Sequence, residues 1–128
     1  MNTVNELIKR LEGPVTLELL NDVNKAVRKN KGHDSVTAGY MAEWLRDNMD
    51  LVVLTVLDKN GSRLTRYALD ERAAEWTRIG KREITSFFNQ GTVLASLLDD
   101  ELIDLVDEDN QRFLRLTDKG LEKLEGMR

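Results

Sequence analysis

The chain has no cysteine, one histidine and one proline among its 128 residues. Without cysteine there is no disulfide framework and no thiolate metal site. The single histidine, His33, sits in a Lys-Gly-His-Asp stretch and reads as an exposed loop residue whose charge depends on pH. No Gly-x-Ser-x-Gly motif or glycine-rich phosphate loop is present, and no base–nucleophile pair can be named. No catalytic, cofactor-binding or metal-binding residue is therefore expected, and the chain reads as a non-enzyme. The longest mainly apolar run, residues 51–57, is far too short to span a bilayer. Glu6 in the first turn and the lack of a signal-like apolar region fit a soluble cytoplasmic protein with no membrane partner. Aromatics are few. Trp44, Trp76, Phe87, Phe88 and Phe113 lie on apolar stripes and do not interleave with basic residues, as a single-strand stacking platform requires.

What is abundant is charge, and it is unevenly placed. The net charge is −4, which argues against a generic polyanion binder. Residues 59–82 hold seven basic residues against three acidic ones, whereas residues 83–128 hold five against eleven. A basic central segment is followed by an acidic tail. The densest acidic run is Asp99, Asp100, Glu101, Asp104, Asp107, Glu108 and Asp109. It lacks the central glycine of a calcium loop and straddles an apolar strand, so it reads as a solvated helix end and turn.

Apolar spacing organises the first half into helices. Val4, Leu7, Ile8 and Leu11 mark a helix over residues 3–12, ended by Gly13-Pro14. Leu19, Leu20, Val23 and Val27 mark a second, running to about Asn30, with Gly32 as its stop. Ser35 opens a third, carried by Met41, Ala42, Trp44 and Leu45. Residues 51–57 are rich in β-branched side chains and are followed by Asp58-Lys59-Asn60-Gly61. This favours a β-hairpin over residues 51–69 with Asn-Gly at its turn. A short helix ending at Gly61 is the rival reading. Asp70 then caps a helix to Ile79, with Ala73, Ala74 and Trp76 as packing residues, and two more short helices follow over residues 81–89 and 92–98.

The tail is the most telling stretch. Residues 102–106 are a short apolar strand, residues 107–110 a polar turn, and residues 113–116 a return strand in which Arg115 alternates with Leu114 and Leu116. Thr117 fits a helix N-cap, Asp118 suits the positive end of the helix dipole, and Leu121, Leu124 and Met127 give the last helix one apolar stripe. This hairpin, entering a short helix through Arg-Leu-Thr-Asp-Lys-Gly, resembles the wing and last helix of the winged helix-turn-helix superfamily. Residues 36–45 are similar to the first helix of many helix-turn-helix pairs.

The resemblance implies a mainly helical α+β fold: a three-helix core, a β-hairpin wing and a closing C-terminal helix over residues 70–128. Residues 1–69 are then either a helical extension or a degenerate first copy of that unit. It also implies a small DNA-binding transcriptional regulator, with a homodimer through the N-terminal helices and double-stranded DNA as partner. The recognition helix would fall near residues 92–98, which carry no basic residue. Phosphate contacts are expected from Lys59, Arg63, Arg66, Arg78, Lys81 and Arg82, joined by Arg112 and Arg115 of the wing. The alternative is a protein-interaction module docking through the acidic wing residues Asp107, Glu108 and Asp109.

Overall fold

A computed structural model describes residues 4–29, 35–77, 79–90 and 92–128. His33, Asn30, Gly32 and Arg78 lie outside the described residues. The chain divides into two compact units, one formed by Met1–Asn48 with Met127–Arg128 and the other by Met49–Gly126.

The first unit holds α1 (Val4–Arg10), α2 (Leu17–Lys29) and α3 (Ser35–Asp47). Thr16 caps α2, its Oγ1 accepting the Leu19 amide at 3.1 Å. Leu19, Leu20 and Val23 form the buried stripe of α2, which packs against α1 and α3. Arg10 bridges to Asp22 at 2.9 Å, and the Leu17 N–H donates to the Met127 carbonyl.

The second unit runs α4 (Met49–Lys59), β1 (Arg63–Thr65), α5 (Arg66–Thr77), α6 (Lys81–Gln90), α7 (Val93–Asp99), β2 (Ile103–Glu108), β3 (Gln111–Leu116) and α8 (Asp118–Gly126). Its antiparallel sheet has the order β1-β3-β2. Asp109 and Asn110 both have positive φ, 52° and 63°. That is the backbone of a two-residue hairpin turn whose twist matches the strands. Leu64, Leu114, Leu116 and Ile103 line the sheet's inner face, where α4 packs against β3.

Residues 51–69 are not a hairpin. Residues 51–57 are all buried and helical, so no polar side remained to give them a helical period. Asn60-Gly61 ends a helix rather than turning a strand. The Ser62 N–H donates to the Leu57 carbonyl at 2.8 Å, Gly61 has φ 80°, and the Asn60 Nδ2 donates to the Val56 carbonyl. The six-to-one bond around a left-handed glycine is a Schellman cap. Only residues 63–65 return as a strand, and they pair with β3. Arg66 is therefore the first residue of α5, not a strand residue. The cap of α5 is Thr65, whose Oγ1 accepts the Ala68 amide at 3.2 Å. Asp70, expected as that cap, lies one turn inside the helix and is buried.

Two further boundaries move. The compact unit that holds the hairpin starts at Met49 rather than residue 70. Among the described residues of 1–69 there is one strand, β1, and no hairpin. The helix-turn-helix likeness of residues 36–45 falls on α3, which belongs to the first unit.

The last helix has its cap where expected, but of the expected stripe only Leu124 is buried, with Leu121 exposed and Met127 beyond the helix. The Thr117 Oγ1 accepts the Gly120 amide at 3.0 Å and donates to the Glu101 carbonyl at 2.6 Å. Gly120 lets α8 approach the chain at Leu102: a Cβ there would lie 2.2 Å from the Leu102 carbonyl oxygen.

Candidate nucleic-acid interface

Eight cations were expected to touch phosphate, and their surroundings separate them. In the two-residue hairpin each strand residue faces the one equidistant from the turn. Asp104 thereby faces Arg115, and Asp107 faces Arg112. The Arg115 guanidinium holds Asp104 with two bonds, Nε to Oδ1 at 2.9 Å and Nη2 to Oδ2 at 2.7 Å. Arg112 holds Asp107 through Nε at 2.9 Å, with Nη2 at 3.5 Å. Arg63 crosses from β1 over the Phe113 ring, 4.7 Å from its centroid, and bonds Glu108 at the far edge of the sheet.

The carboxylates act on the guanidinium groups as phosphate would. Hydrogen bonding to Arg112, then its charge, lowers the Asp107 carboxyl below its ordinary range; Arg112 is raised by the same partner. Arg115 is raised by its bonds to Asp104, by that group's charge and by Asp118. All three pairs are exposed, so solvent screening leaves each only a small contribution to stability. Their larger effect is on the field: the positive charges of Arg63, Arg112 and Arg115 are neutralised by carboxylates of the same sheet.

Arg66 is a structural staple. Its Nε donates to the buried Asp70 at 3.0 Å and its Nη2 to the Asn89 Oδ1 at 2.8 Å, with Phe88 beneath it. Asp70 also accepts from the Thr85 hydroxyl at 2.9 Å. These bonds tie α5 to α6 at both Thr85 and Asn89.

Arg78 lies outside the described residues, which leaves three of the eight. Lys59 at the end of α4 and Lys81 and Arg82 at the start of α6 are exposed and have no carboxylate partner among the described residues. The Lys81 Nζ stands 3.5 Å from the ring centroid of Tyr67, itself 67% exposed. Sequence reasoning passed over Tyr67 and Thr85 and read Asp70 as a helix cap. Tyr67 and Asp70 were hidden by placing the start of α5 four residues late, since in the true helix they lie on its first turns.

An open groove of about 580 Å³ beside the base of the wing is lined by Glu101, Asp104, Arg115 and the first residues of α8. Its charges are mixed and Arg115 is already engaged, so it offers no convergent set of groups for a reaction. Among the described residues no cluster of His, Cys, Asp and Glu could hold a metal ion, and no helix is long and apolar enough to cross a membrane.

No protein-family model and no curated protein matches the chain. A solved structure that it resembles is "F93 from STIV, a winged-helix DNA-binding protein", at 27% identity and a TM-score of 0.49, covering 63% of this chain and 83% of that one. The fold itself speaks through its own topology. A buried helix, a short strand, three helices and a two-stranded hairpin in a β1-β3-β2 sheet, closed by a capped C-terminal helix, give residues 49–126 a winged-helix-like fold.

Proposed function

We propose that the chain is a small regulator that binds double-stranded DNA through its winged-helix unit, with Lys81 and Arg82 as the principal phosphate contacts and Lys59 as a third. The observation that carries this reading is the segregation of the cations. Arg63, Arg66, Arg112 and Arg115 are each engaged by a carboxylate, while Lys81 and Arg82 stand adjacent and exposed at the start of one helix, with no carboxylate partner among the described residues. Such a patch can hold a phosphate backbone although the whole chain is acidic. Dimerisation through the N-terminal helices would place two such patches on paired half-sites.

The same pairs weigh against an acidic docking face. Asp107 and Glu108 spend their charge on Arg112 and Arg63, which leaves Asp109 alone at the turn.

Fluorescence anisotropy of a labelled mixed-sequence duplex tests the reading. Binding at about 50 mM salt should weaken by about 200 mM, because phosphate contacts release counterions. Lys81→Glu should weaken binding on every sequence, and Asp109→Lys should not weaken it. A folded protein with no affinity at either salt would refute the reading.

A further inference from the structure

In a winged helix the element leading into the wing is the one expected to face the groove, and here that is α7. Its surface is poorly suited to the task. It has seven residues and presents Ala95, Ser96 and Asp99 to solvent, with Asp100 and Glu101 directly after it. Three successive carboxylates at one end oppose any approach of phosphate. At 1.5 Å per residue it is only about 10 Å long.

The preceding helix has the opposite character. α6 has ten residues, and its buried side is Ile84 and Phe88. The helical period puts Arg82, Ser86 and Asn89 on the opposite side. Arginine, serine and asparagine have the donor and acceptor patterns that read base edges in the major groove. Lys81 and Arg82 add unpaired positive charge at the same end, and Glu83 is the one carboxylate on the helix. The helix is also held rigidly: Thr85 bonds Asp70, and Asn89 is oriented by Arg66 at 2.8 Å.

We infer that α6, not α7, is the helix that enters the DNA groove, with Ser86 facing base edges and Lys81 and Arg82 on the backbone at its start. This rests on the DNA-binding reading above. The acidic end of α7 then sits away from the duplex.

The absence of cysteine makes the test direct. Full-length Ser86→Cys and Ser96→Cys variants each carry one thiol, whose alkylation by a maleimide is followed with and without a saturating mixed-sequence duplex. DNA should slow alkylation at position 86 and leave position 96 unchanged. Protection at 96 but not at 86 would overturn the inference while leaving DNA binding intact. In parallel, anisotropy should show Arg82→Glu losing on the order of 5- to 100-fold in affinity, the range of a lost base or phosphate contact. Ala95→Glu and Ser96→Glu should change affinity less than about twofold on the same scale. The reverse ranking would also overturn the inference. A wild-type protein that binds no duplex overturns the DNA reading and this inference together.

Discussion

Gly120→Ala puts the seating of the closing helix under direct test. On helix propensity alone the change should stabilise, because glycine inside a helix costs about 1 kcal/mol relative to alanine. The surroundings reverse that sign. The new Cβ would lie 2.2 Å from the Leu102 carbonyl oxygen and 2.7 Å from the Leu116 Cδ1. The leucine methyl can move, but the carbonyl is held, since it accepts the Thr117 amide at 3.1 Å. Restoring van der Waals distance requires α8 to withdraw by more than ~1 Å, which strains the Thr117 cap as well. Overpacking of this kind costs about 1–3 kcal/mol and a lost cap about 1 kcal/mol. Set against the propensity gain, the net is a destabilisation of about 2 kcal/mol. For a chain of this size that corresponds to a fall in Tm of roughly 5–10 °C. Gly126→Ala is the internal control: it lies in the same helix, and a Cβ there meets nothing within 4 Å. Differential scanning calorimetry of both variants checks the argument. A Gly120→Ala protein as stable as the wild type, or more so, would refute the close approach.

Three more expectations follow from named contacts. Asp70→Ala removes a buried carboxylate from Arg66 and Thr85 and should cost about 1–3 kcal/mol in urea unfolding. Leu54→Ala in the fully buried α4 should cost about 2–5 kcal/mol, whereas the same change at exposed Leu121 should cost well under half of that. Asp107 should titrate below the ordinary carboxylate range by NMR and return to it in Arg112→Ala, because the Arg112 bond is the first cause of the shift. Since the folded-state value is depressed, the pair favours folding at neutral pH, and its contribution is lost as pH falls below the usual carboxylate range through that lowered value.

The sequence was most legible where chemistry is local. Thr117 and Asp118 announced α8, and the polar residues 107–110 announced a turn that the structure narrows to Asp109-Asn110, with Asp107 and Glu108 in the strand, because caps and two-residue turns are set by the residues that form them. It was least legible at α4. A helix buried along residues 51–57 has no polar side, so the periodicity that marks helices is missing, and its β-branched residues imitate a strand. That misreading spread: Asn60-Gly61 became a hairpin turn, Arg66 a strand residue and Asp70 a cap. The candidate interface was legible in part. Lys81 and Arg82 stand exposed as their sequence suggested. The engagement of Arg112 and Arg115 was derivable too, since a two-residue turn at Asp109-Asn110 sets each of them opposite an aspartate. Arg63's reach to Glu108 was not, because β1 adds to the hairpin across a separation of 45 residues.

The measurement closest to the central claim is the salt dependence of duplex binding. Each phosphate contact contributes about −0.9 to the slope of log K against log salt. Three contacts, from Lys59, Lys81 and Arg82, predict a slope near −2.7 per bound chain and roughly a 40-fold loss between about 50 and 200 mM salt. If all eight cations reached phosphate, the slope would be near −7 and the loss about 10⁴-fold. Anisotropy across that range should give the shallow slope, reduced by about one in Lys81→Glu. A slope near −7 would contradict the self-neutralised wing, and a folded protein that never binds duplex would contradict DNA recognition itself.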